Sequence, residues 1–288
     1  MRGVLAGAGA REALERGGDG RVVASFRRAC YLALGGGQIV LVAPGVEPGP
    51  VHVVLDAEPP RPEPGGAVRV TGTVLVVDGV RIDVGGATPW WGSLPEPVAV
   101  REHAFAIASA ALEATPGSAL LREPFEGRAR RARTLLEEGR LQEAASGLAG
   151  LGPGLTPSGD DALAGIVFAL RAALGPGIET STVRAADALP AGSLGRDFVS
   201  FAARGQALAP VHDLVERVVA GDRAGADGAA RGVASIGETS GRDLLLGLGW
   251  ALTGGAVYEV AASEGLTVGE GLAIGDPAVR EGRTLRSR

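Results

Sequence analysis

The richest chemistry in this chain is concentrated in Gly150-Leu-Gly-Pro-Gly-Leu-Thr-Pro-Ser-Gly-Asp-Asp161. Part of it returns later, at one constant offset. Ser158, Gly159, Asp161, Leu163 and Gly165 recur as Ser240, Gly241, Asp243, Leu245 and Gly247, and Ala169-Leu170 recurs as Ala251-Leu252. Ser-x-x-Asp ahead of an apolar run is a capping-box pattern, in which the Ser oxygen accepts from the N3 amide and the acid reaches back. Each copy is therefore predicted to open a helix. Gly165 and Gly247 lie one turn beyond Asp161 and Asp243, so the two helices should approach closely at those glycines and bring their N-termini together.

The lead-in to the first copy goes beyond a cap. Gly150, Gly152 and Gly154, with Pro153 and Pro157, describe a stiff loop with open amides at a helix N-terminus. Such a place suits a phosphate or carboxylate. Gly152, Gly154, Thr156, Ser158, Gly159, Ser240 and Gly241 are the candidate substrate-binding residues, and Asp160, Asp161 and Asp243 the candidate catalytic acids. Asp160 is not needed for the cap, and the second copy has Arg242 in its place. Two adjacent acids beside an anion could hold Mg²⁺ bridging to phosphate or accept from an amide or carbamoyl NH₂. Alternatively, Asp160 is simply solvated and favours the helix dipole.

The elements that must carry these residues fall into two regimes. Residues 22–98 hold short β-branched runs broken by Pro and Gly, with Asp78-Gly79 between two of them as a hairpin signal. No helix-length stretch separates these runs, which favours antiparallel pairing. Beyond Pro97, residues 99–114, 125–148 (interrupted at Gly139), 160–174, 181–189, 211–220 and 243–262 read as helices. The fold class is α+β. The expected division is a β-rich portion over 1–95, a helical portion over 96–264 and a disordered tail over 265–288.

Composition narrows the function classes. The chain has 288 residues, is 45% hydrophobic and carries a net charge of −5, with a mean hydropathy of +0.19. That is enough for a real core and argues against nucleic acid as a partner. All of the basic residues are Arg. The absence of Lys excludes a Walker-type phosphate loop and any Schiff base. Cys30 and three His are too few for a Cys/His metal cluster. No uncharged apolar run reaches the roughly 20 residues a membrane span needs, and no signal peptide is read, so the expected location is the cytoplasm.

The 150–161 segment, with Leu163 and Gly165, resembles the signature of the bacterial AllH-like family, whose namesake is a subunit of oxamate carbamoyltransferase in anaerobic allantoin breakdown. Residues 239–247 are similar to the family's second motif, apart from Arg242, where the family usually has an aromatic or apolar residue. Residues 23–32 and Gly49-Pro50 resemble its N-terminal landmarks. The resemblance implies carbamoyl transfer between carbamoyl phosphate and oxamate, with oxalurate as the carbamoylated partner, in a multi-subunit complex that includes an FdrA-like protein. A non-catalytic scaffold or metabolite-sensing subunit is the rival reading.

The remaining polar and aromatic residues read mainly as structural. His103 sits near the start of an Ala-rich helix, His52 in a strand and His212 after Pro210. Trp90-Trp91 is expected to seal the junction between the two portions, Cys30 to be buried, and Arg128, Arg130, Arg131 and Arg133 to form a solvated helix face.

Overall fold

The structure is a computed structural model and describes residues 1–35 and 37–266. The tail expected over 265–288 therefore lies almost wholly outside the described residues.

The chain opens with strand β1 (Gly3–Gly7), helix α1 (Ala8–Arg16) and strands β2 (Gly18–Ser25), β3 (Ala29–Leu34), β4 (Gly37–Val42) and β5 (His52–Leu55). Strands β6 (Ala67–Thr71), β7 (Val74–Val77), β8 (Val80–Asp83) and β9 (Thr88–Trp90) follow. They form one nine-stranded sheet in the order β8-β7-β6-β2-β3-β4-β5-β1-β9. Pairing is antiparallel except at β4–β5 and β1–β9. Asp78-Gly79 makes the predicted hairpin, both residues at positive φ. A second turn at Gly72 splits what reads as one long strand into β6 and β7.

Burial follows position in the sheet. The β6 strand near one edge alternates exposed and buried residues, as a one-sided strand must. The central β4 is buried from Gln38 to Val42, because both of its faces are covered. Ile39 and Leu41 pack with Ala10 and Ala13 of α1. Val40 and Val42 pack with Leu194 and Phe201 from the helical portion.

That portion comprises α2 (Pro97–Glu102), α3 (Ala104–Glu113), α4 (Glu126–Glu137), α5 (Leu141–Leu148), α6 (Ser158–Leu174) and α7 (Glu179–Ala186). After these come α8 (Leu194–Ala203), α9 (Ala209–Val219), α10 (Arg223–Ala234), α11 (Ser240–Ala251) and α12 (Ala256–Ser263). The observed class is α+β, as expected. Gly139 takes φ +75° between α4 and α5, the interruption expected there. Two spans break where the sequence reads continuously: residues 99–114 divide at His103, and Gly254 and Gly255 separate α11 from α12. The α6 helix is its spine, with 15 of 17 residues buried. The continuous helical run Ser158–Ala186 is long and apolar enough to cross a membrane, but 78% of its apolar window is buried inside the protein.

Candidate functional site

The two repeated motifs build equivalent helix–bend–helix corners. In the first, α5 runs into the bend before α6; in the second, α10 runs into the bend before α11. Leu151 N–H donates to Leu148 O at 2.9 Å, and Ile236 N–H donates to Val233 O at 2.9 Å. Gly159 N–H then returns to Leu151 O at 2.7 Å, and Gly241 N–H to Ile236 O at 3.0 Å. A Cβ on Gly159 would lie 2.0 Å from Leu148 O, and one on Gly241 would lie 1.8 Å from Val233 O. Both corners thus fold back so tightly that only glycine fits. The first bend is longer by three residues between equivalent bonds (Leu151 to Gly159 against Ile236 to Gly241).

The helices meet as the glycines predict. A Cβ on Gly165 would stand 2.0 Å from Leu244 O, and one on Gly247 would stand 1.9 Å from Ala162 O. Ala162 and Leu244 are themselves equivalent in the repeat, so α6 and α11 cross about a local two-fold. Their N-termini are joined there by hydroxyls. Thr156 Oγ1 is 3.4 Å from Ser240 Oγ, and Ser158 Oγ is 3.5 Å from Thr239 Oγ1.

The capping boxes do not form. Each helix begins one residue earlier than the pattern implies, with Pro157 and Thr239 at the N-cap positions and no side-chain cap bond. Pro157 O and Thr239 O accept the first helical amides instead, from Asp161 and Asp243 respectively. With Ser158 and Ser240 inside the first turn, their hydroxyls face the opposite helix rather than their own N3 amides. Both acids are thereby released from capping.

The three acids have different surroundings. Asp161 accepts from Thr156 Oγ1 at 3.2 Å and is only 8% exposed. Burial pushes its carboxyl well above the usual carboxylate range; bonds from Ser240 and Thr156 oppose the rise, and the charges of Asp243 and Asp160 add to it. Asp243 is fully buried. One of its oxygens accepts from Ser118 Oγ at 2.5 Å and Ala119 N–H at 3.1 Å, and the other has no partner among the described residues. Asp160 turns away from this junction. It accepts from Gly150 N–H at 2.8 Å, and its other oxygen lies against Gly195, where a Cβ would come within 2.4 Å. It is 3% exposed, so it is not the solvated carboxylate that one reading proposed, and burial raises its pKa. Its contact pins the entry to the bend.

The bend itself is open. The N–H groups of Gly152, Gly154, Leu155, Thr156 and Ser158 donate to no described residue. Residues 153–155 are exposed. Gly152 has φ +99°, and a Cβ there would lie 2.9 Å from that of Ser158. Among the described residues no group of three or more His, Cys, Asp or Glu is placed to hold a metal ion.

Behind the bend lies a cavity of about 190 Å³ between the sheet and α6, α8 and α11, with Leu155, Thr156, Asp161 and Ser240 in its wall. Tyr31 and His52 come to it from β3 and β5, and Phe168 and Phe198 from α6 and α8. Val46, His52 and Leu208 are shared with an outer groove of about 790 Å³ that also contains Arg28, Glu47, Asp213 and Arg217. Reading the sequence by residue type passes over Tyr31 entirely and treats His52 as structural. Their available signal was the N-terminal landmarks, which contain Tyr31 and end just before His52.

The other candidates are structural. His212 Nδ1 lies 2.6 Å from Ser93 O, and its Nε2 accepts from Ala207 N–H at 3.1 Å. The ring sits edge-on to Trp90 and Phe168. His103 Nδ1 bonds Ala99 O at the helix break. Trp90 helps to close the junction as expected, whereas Trp91 is 62% exposed and does not. Arg130 and Arg133 pair with Glu126 and Glu137 on a solvated face, and Cys30 is buried.

Residues 148–252 match the family described as oxamate carbamoyltransferase subunit AllH. The matched segment runs from the last residue of α5 through α11 and contains both corners. By that description the family is a subunit of a carbamoyltransferase, which implies other subunits. Searches of curated proteins and of solved structures return no match.

Proposed function

We propose that the chain is a subunit of an oxamate carbamoyltransferase-type enzyme, and that the 150–158 bend holds an anionic group of its substrates. The observation that carries this reading is the set of five unused amides at the N-terminus of α6, above a cavity. Unpaired amides at a helix N-terminus suit a phosphate or carboxylate. In carbamoyl transfer the amide nitrogen of oxamate attacks the carbamoyl carbon, the C–O bond breaks with its electrons passing to the phosphate, and the proton released by the amide nitrogen leaves on that phosphate as hydrogen phosphate. Preorganised N–H dipoles stabilise the charge that collects on that phosphate. Gly152, Gly154, Thr156 and Ser158 supply the bend; Gly159, Ser240 and Gly241 hold the corner geometry; and Asp161 is the acid nearest the ligand space. Asp160 and Asp243 position the bend and the second helix. The partners are the other subunits, including an FdrA-like protein, and the reaction belongs to the cytoplasm.

Radiolabelled carbamoyl phosphate and oxamate, incubated with this chain and candidate partner subunits, should give labelled oxalurate. Asp161→Ala that still folds and assembles should lose it. Absence of product under every combination would overturn the reading. The alternative, a scaffold or metabolite-sensing subunit, is favoured by one observation: among the described residues no arginine lines the cavity. It predicts that Asp161→Ala loses assembly rather than turnover.

A further inference from the structure

The cavity behind the bend holds hydrogen-bonding atoms that the anion reading leaves unused. Its wall is mainly apolar, with Val40, Val42, Phe168 and Leu244 among the contributors, and among the described residues no Arg lines it. An ion drawn inside would lose its hydration without gaining a counter-charge. His52 Nδ1 lies 3.1 Å from Glu47 O, a contact only a protonated nitrogen can make. Burial holds the imidazole at about 4, so the ring is neutral at physiological pH. Its Nε2 is then a lone-pair acceptor, and it has no partner among the described residues. Tyr31 also lacks a described side-chain partner, and burial keeps its proton in place. Burial favours the protonated form of Asp161 as well, and in that form the carboxyl can donate. Gln206, by contrast, is spent on both backbone groups of Gly92.

We infer that this cavity is a binding site for an uncharged primary amide or urea group carried on a small apolar body. Such a group presents N–H donors suited to His52 Nε2 and a carbonyl suited to the hydroxyls of Tyr31 and Asp161, while the body meets the aliphatic and aromatic wall. The inference does not depend on carbamoyl transfer or on the amides of the bend.

The test is calorimetric titration of the full chain with isobutyramide and with isobutyrate, which has the same shape but carries a charge. Isobutyramide should bind saturably, and isobutyrate near pH 8 should bind at least about tenfold more weakly, the cost of an unmatched buried charge or polar group. His52→Phe should weaken amide binding by about fivefold or more through loss of one acceptor, with cooperative thermal unfolding as the check on folding. If that variant does not fold, Val46→Trp, at the rim shared by groove and cavity, should block the amide instead. Isobutyrate binding as tightly as the amide, amide binding unchanged in a folded variant, or no saturable amide binding would each overturn the inference. A separate titration with inorganic phosphate reports only on the bend, so failure there leaves this result standing.

Discussion

Gly165→Ala adds one methyl group at the tightest point of the α6–α11 crossing. That Cβ would sit 2.0 Å from Leu244 O, where real Cβ atoms essentially never come within 3.0 Å. The obstacle is backbone on both sides, so no side chain can swing aside and the helices must part by about an ångström. Overpacking of this kind costs about 1–3 kcal/mol, and a clash between two backbones belongs at the upper end. Alanine recovers about 1 kcal/mol of helix propensity over glycine. The net expectation is a loss of about 2 kcal/mol, read as a lower urea midpoint and a melting temperature lower by about 4 °C. Gly228→Ala in α10 is the control, because nothing lies within 4 Å of its Cβ position. It should gain up to about 1 kcal/mol. Gly165→Ala combined with Gly247→Ala should cost less than the sum of the two, since helices parted by the first methyl accommodate the second. A neutral or stabilising Gly165→Ala, with the control behaving as stated, would refute the close crossing and with it the meeting of the two N-termini.

The other predictions concern the acids and the bend. Asp161 is protonated in the folded chain at pH values where the unfolded chain has already lost that proton. Stability should therefore fall as pH rises above the usual 3.8, by about 1.4 kcal/mol per pH unit until the folded group ionises. Asp161→Asn should remove that slope and be the more stable protein at neutral pH; parallel slopes in urea melts across pH would contradict it. Asp160→Ala frees the Gly150 amide and should cost about 1–2 kcal/mol, most of it recovered by Asp160→Asn, as thermal melts will report. Gly152→Ala forces a side chain into φ +99° and should weaken phosphate binding about tenfold by displacing the bend, at about 1–2 kcal/mol of local strain. Calorimetry with phosphate measures this, and an unchanged affinity would remove Gly152 from the site.

Much of the crossing was legible because its information is local. The recurring Ser-Gly-x-Asp with a glycine one turn later marks, to within a residue, where two helices begin, and shows where they can touch. The side-chain caps were misread because the pattern does not distinguish a serine at the N-cap from one a residue inside it. Asp78-Gly79 and Gly139 were equally readable, as both positions require positive φ. Helix α10 escaped notice because Gly225, Gly228 and Gly232 dilute its propensity; Asp222, accepting from Gly225 N–H, starts it. Helix α8 carries a usable signal in Ser193, which caps Arg196 N–H ahead of Leu194, Phe198 and Phe201. The cavity could not be foreseen. Tyr31 and His52 reach it only through strand pairing that joins β3 to β4 and β4 to β5, and residue type alone does not reveal such a meeting.

The reciprocal notches at Gly165 and Gly247 have a mechanical consequence. Each helix carries its recess opposite a carbonyl of the other, so neither can slide lengthwise or roll without driving peptide into peptide. The pair behaves as interlocked teeth, and the ground beneath any ligand stays still. Whatever adjustment accompanies ligand entry must then be absorbed by the three additional residues of the longer bend, and slowed hydrogen exchange on binding should be confined to 150–157.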